Sequence, residues 1–157
     1  YRAIHKISND VDFGISPQGN IDNNAKIYAD VKSWCICKGF VDYICPQLYY
    51  SLDNPALTFE DSLTAWSDLD INKSVKLYVG LAGYKANSDA DEGTWLYSNN
   101  ILADEYKTAV NNEKVSGIML YSYSALKDEN ASTEIANLTK AMSNNLDAEN
   151  QTTVPIQ

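Results

Sequence analysis

Residues 75–84 read Val-Lys-Leu-Tyr-Val-Gly-Leu-Ala-Gly-Tyr and form a short apolar run rich in β-branched and aromatic residues. A run of this length is too short for an isolated buried helix and is typical of a buried strand. Three further runs have the same character and lie at residues 11–16, 41–50 and 115–123. We therefore predict a strand in each of the four runs.

Segments with helical periodicity follow the four runs. Their apolar residues recur three or four positions apart, in the order Ile27, Val31 and Trp34; Phe59, Leu63 and Trp66; Leu102, Tyr106 and Val110; and Ile135, Leu138 and Met142. Each set gives a helix one apolar face that can cover a sheet. Thr58, which precedes Asp61 by three residues, is a suitable N-terminal cap for the second helix.

Strict alternation of strands and helices predicts a parallel sheet with right-handed crossovers. An open nucleotide-binding sheet is disfavoured, because no glycine-rich phosphate loop follows a strand. A closed (β/α)8 barrel takes roughly 250 residues, whereas this chain has 157. We predict an α/β fold in which residues 1–143 form four consecutive βα units, the C-terminal half of a (β/α)8 TIM barrel entered through a helix end at residues 1–7. Residues 144–157 are predicted to be a polar linker or tail.

The balance of charges excludes some classes of protein. The chain has 12 basic and 21 acidic residues and a net charge of −9, which disfavours binding to nucleic acid through its phosphates. No apolar run approaches the roughly 20 residues of a membrane-spanning helix. Cys35, Cys37 and Cys45, with His5 as the single histidine, do not have the spacing of a zinc site. We expect three buried apolar cysteines, no metal and no cofactor.

The C-terminal ends of the strands are where a barrel carries its chemistry. Alternation along the second strand predicts that its odd-numbered residues face the barrel interior, namely Tyr43, Cys45, Gln47 and Tyr49. Its even-numbered residues then pack against the helices, namely Ile44, Pro46 and Leu48. The same alternation points three residues of the third strand inward, namely Tyr78, Gly80 and Ala82.

Seven residues at or just beyond the strand ends are candidates for substrate binding: Ser16, Gln47, Tyr49, Tyr50, Tyr84, Lys85 and Tyr123. A sugar offers hydroxyl groups for hydrogen bonds and apolar C–H faces for stacking on aromatic rings. Phenol, amide, hydroxyl and ammonium groups around one opening therefore suit a carbohydrate. The other interpretation is that these tyrosines are ordinary core and rim residues of the barrel.

The carboxylates give no convincing catalytic pair. Glycoside hydrolysis usually needs two carboxyl groups roughly 5 to 10 Å apart. Asp12 and Asp42 stand at strand starts, at the opposite end of the barrel, where we expect a structural role. The remaining acidic residues of interest fall in loops whose composition is typical of solvated segments: Asp22, Asp53, Asp89, Asp91 and Glu92.

Four motifs occur in order along the chain: FGISPxG at residues 13–19, VDYIxPQLY at 41–49, LYVGLAxYK at 77–85 and GIMLYSY at 117–123. Together they resemble the C-terminal half of the glycosyl-hydrolase-like ten family, which are bacterial envelope proteins with a (β/α)8 barrel. The resemblance covers about residues 1–142. Each motif alone is weak, but the four in order at matching spacing are fairly specific.

This resemblance implies an extracellular or envelope-anchored bacterial protein that hydrolyses glycan strands, with denuded peptidoglycan as the substrate. It also implies that the catalytic carboxylates lie at an earlier strand end, before Tyr1, so the catalytic residues stay unassigned here. The family's Ser, Gln and Tyr-Lys correspond to Ser16, Gln47, Tyr84 and Lys85. Lys85 is then expected to meet the carboxylate of muramic acid as a point charge.

The chain departs from the family pattern at two of these motifs. Relatives often have an aromatic residue after Ser-Pro and a tryptophan shortly afterwards, where this chain has Gln18 and residues 20–22. Where relatives usually have a tryptophan after Gln-x-Tyr, this chain has Tyr50. These differences affect the expected shape of the sugar subsites.

The leading hypothesis is a fragment of a glycoside hydrolase that carries part of the sugar-binding cleft and does not hydrolyse glycan alone. The alternative is a non-catalytic carbohydrate-binding or scaffolding module. An Asp pair upstream of Tyr1 would favour the enzyme, and its absence the module. Because a half-barrel leaves two strand edges and an apolar face open, we also expect a homodimer through those edges.

Overall fold

The computed structural model describes residues 1–152, with side chains described as far as Asn145. Its strands form one four-stranded parallel sheet in the order β1-β2-β3-β4, with β1 at Gly14–Ile15, β2 at Tyr43–Ile44, β3 at Lys76–Ala82 and β4 at Val115–Tyr121. The α-helices are α1 at Arg2–His5, α2 at Ile21–Lys26, α3 at Val31–Ile36, α4 at Phe59–Ser67, α5 at Ala90–Gly93, α6 at Ile101–Val110 and α7 at Ser132–Thr152. Short 3-10 helices lie at Gly83–Lys85, Thr94–Leu96, Tyr123–Lys127 and Glu129–Ala131.

The predicted α/β fold with a parallel sheet is confirmed, and the arrangement is consistent with half of a barrel. The first two strands are much shorter than the predicted runs. Pro17 and Pro46 explain this, because a proline has no N–H to donate to the ladder. Beyond them the pairing continues only as isolated bridges, from Gln18 to Gln47 and from Gln47 to Gly80.

The predicted helices around Phe59, Leu102 and Ile135 are confirmed as α4, α6 and α7. Thr58 caps α4 as predicted, because its Oγ1 accepts the Asp61 N–H at 3.1 Å. The predicted single helix around Ile27 is wrong, since that region contains the two short helices α2 and α3.

The break between α2 and α3 has a local cause. Asn20 caps the start of α2, and Asp30 accepts the Ser33 N–H and caps a new start at α3. Between them Tyr28 adopts a left-handed φ of 61°. Ile27 is therefore 60% exposed and does not join the apolar face predicted for it.

The core lies between the sheet and the helices. Ile44, Leu48 and Leu77 are at most 1% exposed and belong to one cluster with Trp66 and Leu102. The prediction that Ile44 and Leu48 pack against the helices is therefore confirmed, and Leu77 of β3 packs there as well. The opposite face carries partly exposed tyrosines, among them Tyr43 and Tyr78. Two of the cysteines are buried as predicted, but Cys37 is exposed, because it lies where α3 ends.

Asp42 has the structural role predicted for it. Its Oδ2 lies 2.9 Å from His5 Nε2 and accepts the Phe13 N–H at 2.8 Å. One carboxylate thus ties α1 to the segment leading into β1, at the end of the sheet opposite the candidate residues.

The last helix extends beyond the predicted boundary of the folded unit. Residues 144–152 continue α7, where the sequence predicts a polar linker or tail. A helix of polar residues can continue there because it grows from the apolar turns around Leu138, which is 4% exposed. The remaining part of that predicted tail, 153–157, lies outside the described residues. Within residues 1–152, no helix combines the length and the apolar character needed to cross a membrane.

Candidate functional site

The inner face of the sheet carries tyrosine rings that lie over glycines of the adjacent strand. Gly14 is the register partner of Tyr43, and Gly117 is the register partner of Tyr78. A Cβ atom added at Gly14 would lie 2.1 Å from Tyr43 Cε2, and one at Gly117 would lie 3.3 Å from Tyr78 Cε1. Because glycine has no side chain, each ring can lie close over the neighbouring backbone, and the Tyr43 and Tyr78 rings meet edge to face with centroids 5.6 Å apart and an interplanar angle of 90°.

Three tyrosines form a cluster at the C-terminal ends of the strands, and we call Tyr49, Tyr84 and Tyr121 the tyrosine platform. The Tyr49 and Tyr121 rings are stacked, with centroids 5.8 Å apart and an interplanar angle of 24°. Tyr84 meets both rings nearly at right angles, with centroids 5.8 and 5.9 Å away. Tyr49 reaches Tyr121 across β3, and its ring lies over Gly80, where a Cβ would be 3.3 Å from Tyr49 Cε1.

The tyrosine platform is open to solvent, and the pKa values of two of its phenols, Tyr49 and Tyr84, are raised. Tyr84 and Tyr121 are 49% and 57% exposed, and Tyr49 is half-buried. Burial raises the pKa of Tyr49 to about 12, with smaller contributions from Cys45 and the other two rings. Burial also raises the pKa of Tyr84, and Asp91 adds to that effect. These two hydroxyl groups can therefore donate as well as accept hydrogen bonds at neutral pH.

Gln47 and Ser16 are brought together at the ends of β2 and β1. Gln47 Nε2 donates to the Ser16 carbonyl oxygen at 3.1 Å and lies 3.4 Å from Ser16 Oγ. Both side chains retain exposed surface. The amide oxygen of Gln47 and the hydroxyl of Ser16 are therefore placed to bind a ligand above the first two strands.

Tyr50 and Tyr123 lie to either side of this arrangement. The Tyr50 ring packs over Gly19 in the loop after β1, where a Cβ would be 2.8 Å from its Cε2 atom. Tyr123 is 69% exposed, and Lys127 Nζ lies 4.8 Å from the centre of its ring. Tyr121 was not among the candidates predicted from the sequence, but it is the residue of β4 in the tyrosine platform. Strand alternation places Tyr121 and Tyr123 on the same face. Because β4 ends at Tyr121, that alternation does not extend to Tyr123.

Lys85 is engaged within the protein. Its Nζ donates to the Tyr49 carbonyl oxygen at 2.7 Å and to both carboxylate oxygens of Asp91, at 2.8 and 3.0 Å. Asp91 also accepts the indole N–H of Trp95 at 2.9 Å. The side chains of Lys85 and Asp91 are each only 16% exposed.

The expectation that Asp91 is a solvated loop residue is therefore wrong. Trp95 is fully buried, and it draws the loop against the protein. Burial alone would raise the pKa of Asp91, but the hydrogen bonds from Lys85 and Trp95 and the charge of Lys85 outweigh it and hold that pKa below its usual value.

Two buried glutamates lie behind the site and were not selected from the sequence. Glu134 accepts the N–H groups of Ile101 and Leu102, both at 3.0 Å, and so caps α6 from α7. Glu105 is fully buried, and neither of its carboxylate oxygens has a hydrogen-bond partner among the described residues. Burial raises the pKa of Glu105 well above its usual value, and Glu134 adds to the effect. Glu105 occupies the same side of α6 as Ile101 and could have been suspected from that i, i+4 spacing.

Potential metal ligands and surface cavities also occur away from the strand ends. Among the side chains that the structure describes, no group of three or more His, Cys, Asp or Glu residues is placed to hold a metal ion. A surface cavity of about 360 Å³ lies between α2 and α3 and is lined by Ile21, Ala25 and Tyr28 among others. It belongs to the outer helix layer rather than to the strand ends.

Comparison with known proteins gives a consistent set of matches. The family model described as glycosyl hydrolase-like 10 matches residues 2–97. Glycosyl hydrolase YngK of Bacillus subtilis (strain 168) is 35% identical over 97 residues, covering 52% of this chain and 19% of that protein. Glycosyl hydrolase DigH of Escherichia coli (strain K12) is 26% identical over 137 residues, covering 76% of this chain and 31% of that protein. The chain thus spans about a fifth to a third of the length of these relatives.

Proposed function

Because this chain belongs to the glycosyl hydrolase-like 10 family, we propose that it is the sugar-binding part of a glycoside hydrolase that acts on bacterial cell-wall glycan. The substrate class we propose is denuded peptidoglycan, which places the protein in the cell envelope or outside the cell. The observation that carries the proposal is the tyrosine platform at the C-terminal strand ends, where Tyr49, Tyr84 and Tyr121 meet.

The tyrosine platform suits a sugar for physical reasons. The apolar C–H face of a pyranose ring can stack on the exposed ring of Tyr84 or Tyr121, while the phenol hydroxyls bond the equatorial hydroxyl groups. The Gln47 amide and the Ser16 hydroxyl add polar partners that suit a hydroxyl or acetamido group. Tyr50 and Tyr123 would extend the aromatic surface at the rim on either side.

The sheet is, in this proposal, the C-terminal half of a (β/α)8 barrel. Four parallel strands in sequential order, covered by helices on one face, are what half of such a barrel contains. The candidate residues also lie at the strand ends where barrel enzymes bind their substrates. The much greater length of the relatives leaves room for a second half.

Binding to insoluble cell-wall glycan tests this proposal. We expect the chain to co-sediment with denuded peptidoglycan, and we expect Tyr121→Ala to weaken that binding about fivefold, the value of one aromatic contact. Tyr28→Ala is the matched control, because Tyr28 is 96% exposed and lies between α2 and α3. Equal binding by Tyr121→Ala and the control would contradict the proposal.

We also propose that the chain alone does not hydrolyse glycan. Two carboxyl groups across the scissile bond are usually required, whereas Asp42 serves the opposite end of the sheet and Asp91 is held by Lys85. Because Asp91 is held in an ion pair with Lys85, it also favours a second candidate function, a non-catalytic carbohydrate-binding or scaffolding module. Release of soluble sugars from denuded peptidoglycan by the purified chain would contradict both, and hydrolysis by a longer protein containing it would favour the first.

We propose that the isolated chain forms a homodimer through its half-barrel edges. In the described residues β1 and β4 are the two edges of an all-parallel sheet, and Met119 and Tyr121 of β4 are exposed. A two-fold axis along the strands would place β4 of each copy parallel to β1 of the other, as barrel closure requires.

Light scattering at micromolar concentration tests the dimer. We expect twice the mass of the chain, and we expect Met119→Lys to shift the mass to that of a monomer by placing a charge on the inner face. Ile27→Lys, at a 60% exposed position on the helix layer, should leave the dimer intact. A wild-type monomer would contradict the proposal.

A further inference from the structure

We propose that Lys85 and Asp91 are positioning residues that hold the tyrosine platform and that Lys85 does not contact the ligand. The inference rests on the proposed function and revises the role expected for Lys85 from the sequence. It implies that this part of the site recognises the neutral faces and hydroxyl groups of a sugar rather than an acidic substituent.

The ammonium group of Lys85 is directed into the protein and its charge is already paired. Its Nζ donates to the Tyr49 carbonyl oxygen at 2.7 Å and to the carboxylate of Asp91, whose two oxygens lie 2.8 and 3.0 Å away. Its side chain is only 16% exposed. A ligand carboxylate would meet an ammonium group whose charge is already neutralised by Asp91, a residue that is also held by Trp95.

The same contacts join the loops that carry the tyrosine platform. Lys85 follows Tyr84 directly and bonds the backbone of Tyr49, so it links the end of β3 to the segment after β2. A second link lies behind it, where Ser51 Oγ and Thr94 Oγ1 are 2.6 Å apart and buried. The relative position of the Tyr49 and Tyr84 rings, 5.8 Å apart, is therefore fixed through their backbones.

The backbone around Asp91 shows that these contacts hold a conformation the chain does not favour. Asp91 and Glu92 have left-handed φ values of 52° and 61°, so the short segment α5 is an irregular turn within the loop rather than a regular helix, and Asn87 has a φ of 52°. Such conformations are unfavourable for residues other than glycine and persist only where the surroundings hold them. Loss of the Lys85–Asp91 pair should therefore release the loop, and with it the tyrosine platform.

Two glycan probes and two variants distinguish positioning from direct binding. The probes are chitotetraose, which is neutral, and a tetrasaccharide of denuded peptidoglycan, which carries muramic acid carboxylates. Lys85→Met and Asp91→Asn should each weaken the binding of both probes by about tenfold, as expected for loss of a charged hydrogen-bonded pair. The inference is overturned if Lys85→Met weakens only the acidic probe, or if Asp91→Asn, by freeing Lys85, strengthens it.

A matched control comes from α6, where Lys107 Nζ lies 2.7 Å from Asp104 Oδ1 in an exposed ion pair. Lys107→Met and Asp104→Asn remove the same chemical groups away from the strand ends. Both should bind the two probes as the wild-type chain does. A tenfold loss in these variants would mean that the assay reports general destabilisation, and it would overturn the assignment of the effect to the Lys85–Asp91 pair.

A ligand-free measurement separates the inference from the proposed function. Asp91→Asn is nearly isosteric and is expected to fold even if Lys85→Met does not. In its NMR spectrum the ring resonances of Tyr49 and Tyr84 should move, while those of Tyr43 and Tyr78, at the other end of the strands, should stay. If the wild-type chain binds neither probe, the proposed function is contradicted but the positioning role is not. If the Tyr49 and Tyr84 resonances of Asp91→Asn do not move, the positioning role is overturned.

Discussion

Glu105 lies on α6 with no exposed surface and with neither carboxylate oxygen in a hydrogen bond to a described residue. Burial raises its pKa well above the usual value, Glu134 and Asp91 add to this, and Lys85 opposes it. In the unfolded chain the same group has an ordinary pKa of about 4.3. Between these two pKa values the unfolded chain loses a proton that the folded chain keeps, so folding becomes weaker as the pH rises.

The corresponding prediction concerns the pH dependence of stability. The wild-type free energy of unfolding should fall, relative to that of Glu105→Gln, by on the order of 1 kcal/mol per pH unit above about pH 4.3. The unpaired amide of the variant has a cost that does not change with pH, so the slopes are compared rather than the absolute values. Urea unfolding from pH 4 to pH 8 measures them, with the exposed Glu129→Gln as control. Parallel curves for the wild type and Glu105→Gln would contradict the assignment.

Strand alternation predicts some of these residues and not others. It places Gln47 and Tyr49 on the inner face because successive residues of a strand face opposite sides. It cannot choose between Tyr121 and Tyr123, since the choice depends on where β4 ends. Strand alternation also cannot predict the partner of Lys85. Asp91 reaches Lys85 through a loop, and the burial of Trp95 determines the path of that loop.

A close glycine–tyrosine contact lies between β1 and β2. Gly14 and Tyr43 are register partners, and a Cβ at Gly14 would overlap the ring of Tyr43. The two strands are short, and backbone hydrogen bonds such as that from the Cys45 N–H to the Ile15 carbonyl oxygen also join them. Short strands and a missing side chain are both consistent with a sheet that bends toward a barrel.

Gly14→Ala tests this contact at the level of the strand pair. We expect it to lower the free energy of unfolding by about 1–3 kcal/mol, the usual cost of overpacking. In a Tyr43→Ala background the same substitution should cost much less, because the overlapping ring is gone. Urea unfolding of the four chains in this double-mutant cycle gives the coupling. An equal cost in both backgrounds would show that the ring does not set the packing of β1 on β2.

Element boundaries follow local capping more closely than apolar periodicity. Thr58 caps α4 where the sequence predicts it, because the capping residue and the apolar face indicate the same helix start. Around Ile27 they disagree, since Asp30 begins a new helix in the middle of the predicted apolar stripe. The parallel order of the strands was nevertheless predictable from the alternation of element types, which does not depend on where each helix begins.

The whole molecule presents a closed outer layer and an open inner face. Helices cover the face of the sheet that carries Leu48 and Val79, both fully buried. The other face carries tyrosines over glycines and ends in the tyrosine platform. A chain of net charge −9 that holds its Lys85 internally is better suited to a ligand recognised by stacking and hydroxyl contacts than to a strongly acidic one.

Chemical-shift mapping with chitotetraose on the isotopically labelled chain tests the central claim most directly, because it locates the bound sugar. We expect the largest perturbations at the side-chain amide of Gln47 and at the rings of Tyr84 and Tyr121, with little change around Tyr28. Perturbations confined to the cavity between α2 and α3, or none at saturating sugar, would contradict a glycan-binding site at the strand ends.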